Sequence, residues 1–360
     1  MTWSNAPETS TNKYMKTYNV VHLGDIVFEG HKNKMNQFGR FVENTIGDGI
    51  VSHIFDVYKP KTLKYHDLNF WKYYINSEKV MRNTLRMSTT SARMMHNLVS
   101  KDISKQLIKV PSFEETKKIG SIINKIDHLL SLQQKKLKQL RLFKKAMLQQ
   151  LFVSDKNNLV PNIRFKGFID AWEQRKLGDV GKTQSGIGFP NKEQGGQQGI
   201  PFFKVSDMNN NGNEFEMKNA KNYVTETQIT NRKWKPISEV PAIIFAKVGA
   251  ALMLNRKRLV NVPFLIDNNT MAYMFSEEWN PCFGKNLFDT LNLPRYAQTG
   301  ALPSFNGSDI ENIEVMLPSL KEQHVISQFF QNINYLIALH HRKIDILSNL
   351  KKFLLQKMFI

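Results

Sequence analysis

Four short patterns in this 360-residue sequence hold residue types that could do chemistry. Asn280-Pro281-Cys282-Phe283 approaches the Asn/Asp-Pro-Pro-aromatic loop that presents an amino group for methyl transfer. Its second proline is absent and no glycine-rich cofactor loop follows a strand upstream, so Asn-Pro reads as a turn. Gly181-Lys182-Thr183 mimics the end of a phosphate-binding loop, yet Lys176 stands where that loop needs its first glycine. Gly186-Ile187-Gly188 lacks the third glycine of a dinucleotide loop and reads as a flexible loop. His340 and His341 are neighbours in a predicted helix. Adjacent helical positions diverge by about 100°, so the pair cannot share a metal as residues four apart do. Cys282 is the only cysteine, which excludes an internal disulfide and argues against a thiolate zinc site. The expectation is a non-catalytic chain without cofactor or metal.

What remains is recognition chemistry. Lys and Arg number 50 against 31 Asp and Glu, a formal charge of +19. Such an excess points to a polyanion, and nucleic acid rewards it by counterion release. Base reading adds a geometric demand: Arg or Lys pairs with guanine, Asn or Gln with adenine. In the C-terminal half the densest candidate is Asn255, Arg256 and Lys257, with Arg258 next to them. Lys204 and Lys247 leave apolar runs, and Arg232 with Lys233 flanks Trp234. The Gly/Gln-rich loop from Gly186 to Gly199, with Asn191, Lys192, Gln194, Gln197 and Gln198, could approach DNA closely. In the N-terminal half, Lys32, Lys34 and Arg40 follow an apolar run, and Arg82, Arg86 and Arg93 precede a long helix. Each could equally be a solvated loop or a phosphate contact without sequence information.

The elements that position these residues come from an internal repeat. Pro111 to Phe152 and Pro318 to Phe359 align without a gap at a shift of 207, with 14 identities. Both copies open on Pro-Ser and a Glu three residues after the Ser, a helix N-cap with a capping box, and Pro111 and Pro318 bar an earlier start. Apolar residues at Ile119, Ile122, Ile126, Leu129, Leu137, Leu140, Met147 and Leu151 form a coiled-coil-like stripe. Ile326, Phe329, Ile333, Leu336, Ile344, Leu347, Leu354 and Met358 repeat it. Gln133 and its image His340 interrupt both stripes at the same depth, either as a register-setting polar layer or as tolerated surface residues. Each helix would be about 60 Å long and needs a partner, so an antiparallel pair holding a basic head at each end is expected. Before the first helix, Leu23 to Phe28 and Gly49 to Phe55 read as strands, and Phe70 to Ile75 as a short helix. Val153 to Asn158 is a polar link.

Pro161-Asn162-Ile163-Arg164-Phe165-Lys166-Gly167-Phe168, Ala171-Trp172-Glu173 and Leu177-Gly178-Asp179 together resemble the opening of a target recognition domain. The strand Gly24-Asp25-Ile26-Val27-Phe28 and the entry to the long helix, Leu317-Pro318-Ser319-Leu320-Lys321-Glu322-Gln323, belong to the same pattern. The chain resembles the specificity subunit of type I restriction–modification enzymes over essentially its whole length. The resemblance implies an α+β chain with two mixed α/β target recognition domains, separated by two long helices packed as an antiparallel coiled coil. The expected limits are 1–110 for the first domain, 111–153 for a spacer helix and link, 154–317 for the second domain, and 318–360 for the second spacer helix. It also implies partners: double-stranded DNA read as a bipartite site, two methyltransferase subunits, and restriction/translocase subunits through the complex. The first domain has no counterpart of the Trp172 to Asp179 opening, so it is expected to lack its beginning. A non-catalytic basic scaffold binding nucleic acid without specificity, and a silent recombination cassette, stay open as alternatives. No signal peptide is visible, and the apolar run from Ala242 to Leu254 is broken by Lys247, so a cytoplasmic chain without membrane contact is expected.

Overall fold

Gly24, at φ 89°, turns the chain into a strand, as the run Gly24 to Phe28 predicts. The computed structural model describes residues 15–62, 64–91, 95–153, 158–298 and 302–359. Two compact units emerge: residues 1–137 with 339–360, and residues 138–338. Both long helices are therefore shared, each half belonging to the globular part it touches. Limits drawn at the helix starts do not coincide with these packing units.

The first unit contains β1 (Asn19–Val21), β2 (Ile26–Glu29), β3 (Arg40–Glu43), β4 (Gly49–Val51) and β5 (Asp56–Tyr58). The expected strand from Gly49 to Phe55 stops at Val51, because Phe55 N–H turns back to the Ser52 carbonyl. β1 pairs with β4, and a three-stranded antiparallel sheet has the order β3-β2-β5. Phe28 and Phe41 face each other across its ladder and meet edge to face at 5.4 Å. They pack on Phe70 and Tyr74 of α1 (Leu68–Tyr74). Asp67 caps α1 by accepting from Phe70 N–H. Then come α2 (Glu78–Ser88), the hairpin of β6 (Thr89–Ser91) and β7 (His96–Leu98), α3 (Ser100–Ile103) and the long α4 (Phe113–Gln150).

The second unit is larger. It holds β8 (Glu173–Lys176), β9 (Gly181–Ser185), β10 (Ile200–Phe203), β11 (Tyr223–Val224), α5 (Glu226–Arg232), β12 (Ala242–Ala246), α6 (Ala250–Met253), β13 (Lys257–Val260), β14 (Leu265–Ile266) and β15 (Thr270–Phe275). α7 (Pro281–Thr290), α8 (Gly307–Glu311), β16 (Glu314–Leu317) and the long α9 (Leu320–Met358) complete the chain. The main sheet is antiparallel with order β13-β12-β15-β9. β12 is buried along its whole length, which is why its sequence is apolar without alternation. A second sheet has the order β11-β10-β14, with β10 and β14 parallel. Trp172 and Leu177, prominent in the sequence pattern, are core residues.

The repeat recurs in the packing. Ile119, Ile123 and Ile126 of α4 are buried in the first unit, and their images Ile326, Phe330 and Ile333 of α9 are buried in the second. Phe359, at the end of α9, meets Phe70 and Tyr74 in the first unit at 5.7 and 5.6 Å. Its image Phe152 stacks on Phe283 in the second unit at 5.1 Å. Within each unit, then, the start of one long helix lies with the end of the other, which is antiparallel. Three stripe positions differ from expectation: Ile122 and Leu129 are each 43% exposed, and Leu336 is also exposed. A heptad stripe assumes a helical partner alone. Here the globular core takes the 119/123/126 arc instead. Ser112 and Ser319 do cap the helices, each hydroxyl accepting from the N–H three residues on, at 3.4 and 3.5 Å. Glu322 does not close a capping box. Its two carboxylate oxygens accept from Arg164 at 2.8 and 2.7 Å, which raises the Arg164 pKa. No helix is long and apolar enough to cross a membrane among the described residues.

Candidate nucleic-acid interface

The four strands of the second unit's main sheet end on a common rim. β12 runs out at Ala246, opposite Thr270 of β15, whose neighbour Met271 faces Ser185, the last residue of β9. On the other side of β12, Phe245 faces Lys257, the first residue of β13. Backbone bonds tie in the loops: Lys247 N–H to Asn269 O at 2.9 Å, Gly186 N–H to Thr270 O at 3.0 Å, and Ile187 N–H to Ile266 O at 2.9 Å. Asp267 N–H reaches Phe203 O at 3.1 Å and so brings the end of β10 to the same place. Lys204, Lys247 and Arg256 therefore gather on one rim although they are far apart in sequence. The Lys204 ammonium donates to Gln194 Oε1 at 3.2 Å, and Arg256 donates to Asn209 Oδ1. The Lys247 side chain has no hydrogen-bond partner among the described residues.

Strand periodicity corrects part of the basic run. Side chains in a strand alternate, so Lys257 and Leu259 share one buried face, while Arg258 on the other is half-buried and donates to Lys257 O at 2.9 Å and Met208 O at 3.3 Å. Lys257 is 2% exposed, and its ammonium donates to the Leu291 carbonyl at 2.6 Å. Burial lowers its pKa to about 8, Asp289 opposing the shift and Lys285 adding to it. It is not a surface contact. Asn255 is spent internally as well: at φ 51° it turns the chain, its amide donating to Leu291 O and its oxygen accepting from Leu293 N–H. Arg232 donates twice to Glu193 Oε1, at 2.9 and 2.7 Å, and pins α5 to the 186–199 loop. Gln228 and then Arg232 lower the Glu193 pKa. Lys233 is exposed in a left-handed helix cap at φ 54°. Three glycines of that loop, Gly186, Gly196 and Gly199, lie against the protein's own backbone. A Cβ at Gly186 would lie 1.9 Å from the Asp267 carbonyl oxygen, and one at Gly196 2.2 Å from that of Tyr223.

In the first unit the β2–β3 loop is the basic one. Lys32 and Lys34 are exposed on it, with the Lys32 ammonium donating to Ser91 Oγ at 2.7 Å. Arg40, at the loop's far end, donates to Glu29 at 2.6 Å. Arg82 reaches over from α2 to Gln37 Oε1 at 3.0 Å. Arg86 is exposed on α2 and has no hydrogen bond or ion pair to this loop among the described residues. Arg93 and most of the polar link after α4 lie outside the described residues.

Sequence reasoning missed one part of the rim. Asn268 and Asn269 form the tip of a tight turn between β14 and β15, closed by Thr270 N–H to Asp267 O at 2.9 Å. Both are exposed. A doubled asparagine between apolar strands was the available signal. The catalytic-looking motifs dissolve into structure. Asn280 is the N-cap of α7, its Oδ1 accepting from Cys282 and Phe283 N–H at 3.1 Å each. Gly181 to Thr183 is part of β9. No acidic, histidine or cysteine group that could hold a metal ion occurs among the described residues.

Comparison with known proteins agrees with this architecture. The chain is 23% identical over 298 residues to the type I restriction enzyme MjaIX specificity subunit of Methanocaldococcus jannaschii, covering 79% of this chain and 67% of that one. Its fold is similar to the S subunit of a type I restriction-modification system from M. genitalium, with a TM-score of 0.59 and 13% identity over 95% of this chain and 84% of that chain. The HsdS subunit from Thermoanaerobacter tengcongensis is also similar, with a TM-score of 0.51 and 17% identity over 94% of this chain and 81% of that chain. The sequence pattern of the type I restriction modification DNA specificity domain matches residues 169–349, half of the protein. With its fold, its repeat and this match in agreement, the chain belongs to the family of type I restriction modification DNA specificity domains.

Proposed function

We propose that this chain is the non-catalytic subunit that gives a type I restriction–modification complex its DNA sequence specificity. Each unit presents a basic loop region to one half of a bipartite duplex site, and the chemistry belongs to partner subunits. The observation that carries this reading is the rim of the second unit, where Lys204, Lys247 and Arg256 converge from three separate strand ends. Lys32, Lys34, Arg40 and Arg82 play that part in the first unit.

Two methyltransferase subunits dock on the long helices, and restriction/translocase subunits join through them in the cytoplasm. Support comes from apolar residues that neither helix buries. In the first unit these are Ile122, Leu129 and Leu132 of α4 and Ile346, Leu350 and Phe353 of α9, all exposed. Exposed apolar side chains on both long helices suit them to a protein interface. The unbroken helices, of 38 and 39 residues, are proposed to set the gap between half-sites.

The test is to co-express the chain with its modification subunits and map methylated positions in the host genome. A single bipartite motif is expected. Inserting the same number of turns in α4 and α9 should change its gap and leave its bases alone. Methylation without a shared motif, or a gap indifferent to helix length, overturns the proposal.

A further inference from the structure

We infer that the Asn268–Asn269 turn is the base-reading element of the second unit, with Asn268 hydrogen-bonding an adenine edge in the major groove. This rests on the specificity reading above. Four observations carry it. First, the turn sits on the rim beside Lys247, whose N–H bonds Asn269 O at 2.9 Å, and beside Phe203, the residue before Lys204. Lysines thus flank an exposed polar tip.

Second, the tip is rigid. Asp267, 6% exposed, accepts from Thr270 Oγ1 at 2.6 Å through one carboxylate oxygen, and the turn's backbone bond closes over it. Sites held by a buried support lose little entropy on binding. Third, the turn does not need asparagine. Asparagine often fills turns because it tolerates the left-handed region. Among described non-glycine residues only Lys233 and Asn255 have positive φ, so neither Asn268 nor Asn269 is there for that reason. Fourth, the Asn268 carboxamide is exposed and makes no hydrogen bond among the described residues. Asn269 is partly engaged, donating to Asp267 Oδ2 at 3.4 Å. A free carboxamide offers one donor and one acceptor in the spacing that adenine N7 and N6 require.

The experiment uses the full chain in complex with its modification subunits, selecting bound duplexes from a randomised pool. Asn268→Ala and Asn268→Asp are compared with the wild type. Both substitutions are at an exposed turn tip, and unchanged melting of the complex checks the fold. The expected result is a loss of roughly 10-fold in discrimination at one A·T pair of one half-site. All other positions keep their preference, and total DNA affinity changes little. Lys247→Ala should instead weaken all duplexes alike. Unchanged preference at every position in both Asn268 variants overturns the inference while leaving the specificity reading intact. A wild-type complex that selects no motif at all overturns that reading, and this inference with it.

Discussion

Lys257 shows what one buried charge does to the second unit. Its ammonium lies among Leu291, Asp289 and Lys285, and burial lowers its pKa from the ordinary lysine value to about 8. Below that pH both folded and unfolded chains hold the proton, and the burial penalty is constant. Above it the folded unit releases the proton while the unfolded chain keeps it, so stability rises with pH up to the ordinary lysine range. Urea unfolding of wild type and Lys257→Met, measured side by side from pH 7 to pH 10.5, should show wild type gaining up to about 3 kcal/mol relative to the variant. A difference that stays flat over that range would place Lys257 in solvent. The strand alternation that hides Lys257 is visible in sequence only after β13 is assigned. The basic run Asn255 to Arg258 masks it.

At the scale of elements, the long helices meet at a polar layer. His340 Nδ1–H donates to Gln133 Oε1 at 2.6 Å, joining two residues that the repeat equates. A polar pair at a stripe position specifies register at some cost in stability. Replacing Gln133 by Leu alone strands the imidazole and should cost the first unit about 1 kcal/mol, whereas Gln133→Leu with His340→Leu should recover it. Chemical denaturation of the three proteins reads this directly, and a double variant no better than the single one contradicts the pairing. Burial first, then Lys343 and Lys136, lowers the His340 pKa. Acidification should therefore weaken the first unit as pH falls through the ordinary histidine value, an effect absent in the double variant. Helix existence and caps were legible in the repeat, whereas Gln133 and His340 stood equally for a polar layer or for surface residues until the hydrogen bond between them decided it. Ile123 in place of Ile122 was not legible, because the arc that a helix buries depends on the core it meets.

For the whole molecule the governing quantity is a formal charge of +19. Binding to unrelated duplexes should weaken steeply with salt, with a log–log slope of about −5 or steeper if roughly six phosphates are engaged. Fluorescence anisotropy on two duplexes of different sequence measures it. A slope near zero would remove DNA as the partner. A steep slope with no sequence preference, even in the complete complex, would favour a nonspecific basic scaffold. By itself the sequence determined two equivalent helices, an excess of positive charge and the absence of a recognisable catalytic motif. These follow from periodicity and composition, which are local or additive. Only the tertiary structure decided which cations stand together. Strand pairing joins β9, β12, β13 and β15 from distant stretches, raising Lys247 and the Asn268–Asn269 turn to one rim while drawing Lys257 and Asn255 inside. Residue types state what a side chain can bond, but burial against remote segments settles whether it is free to do so.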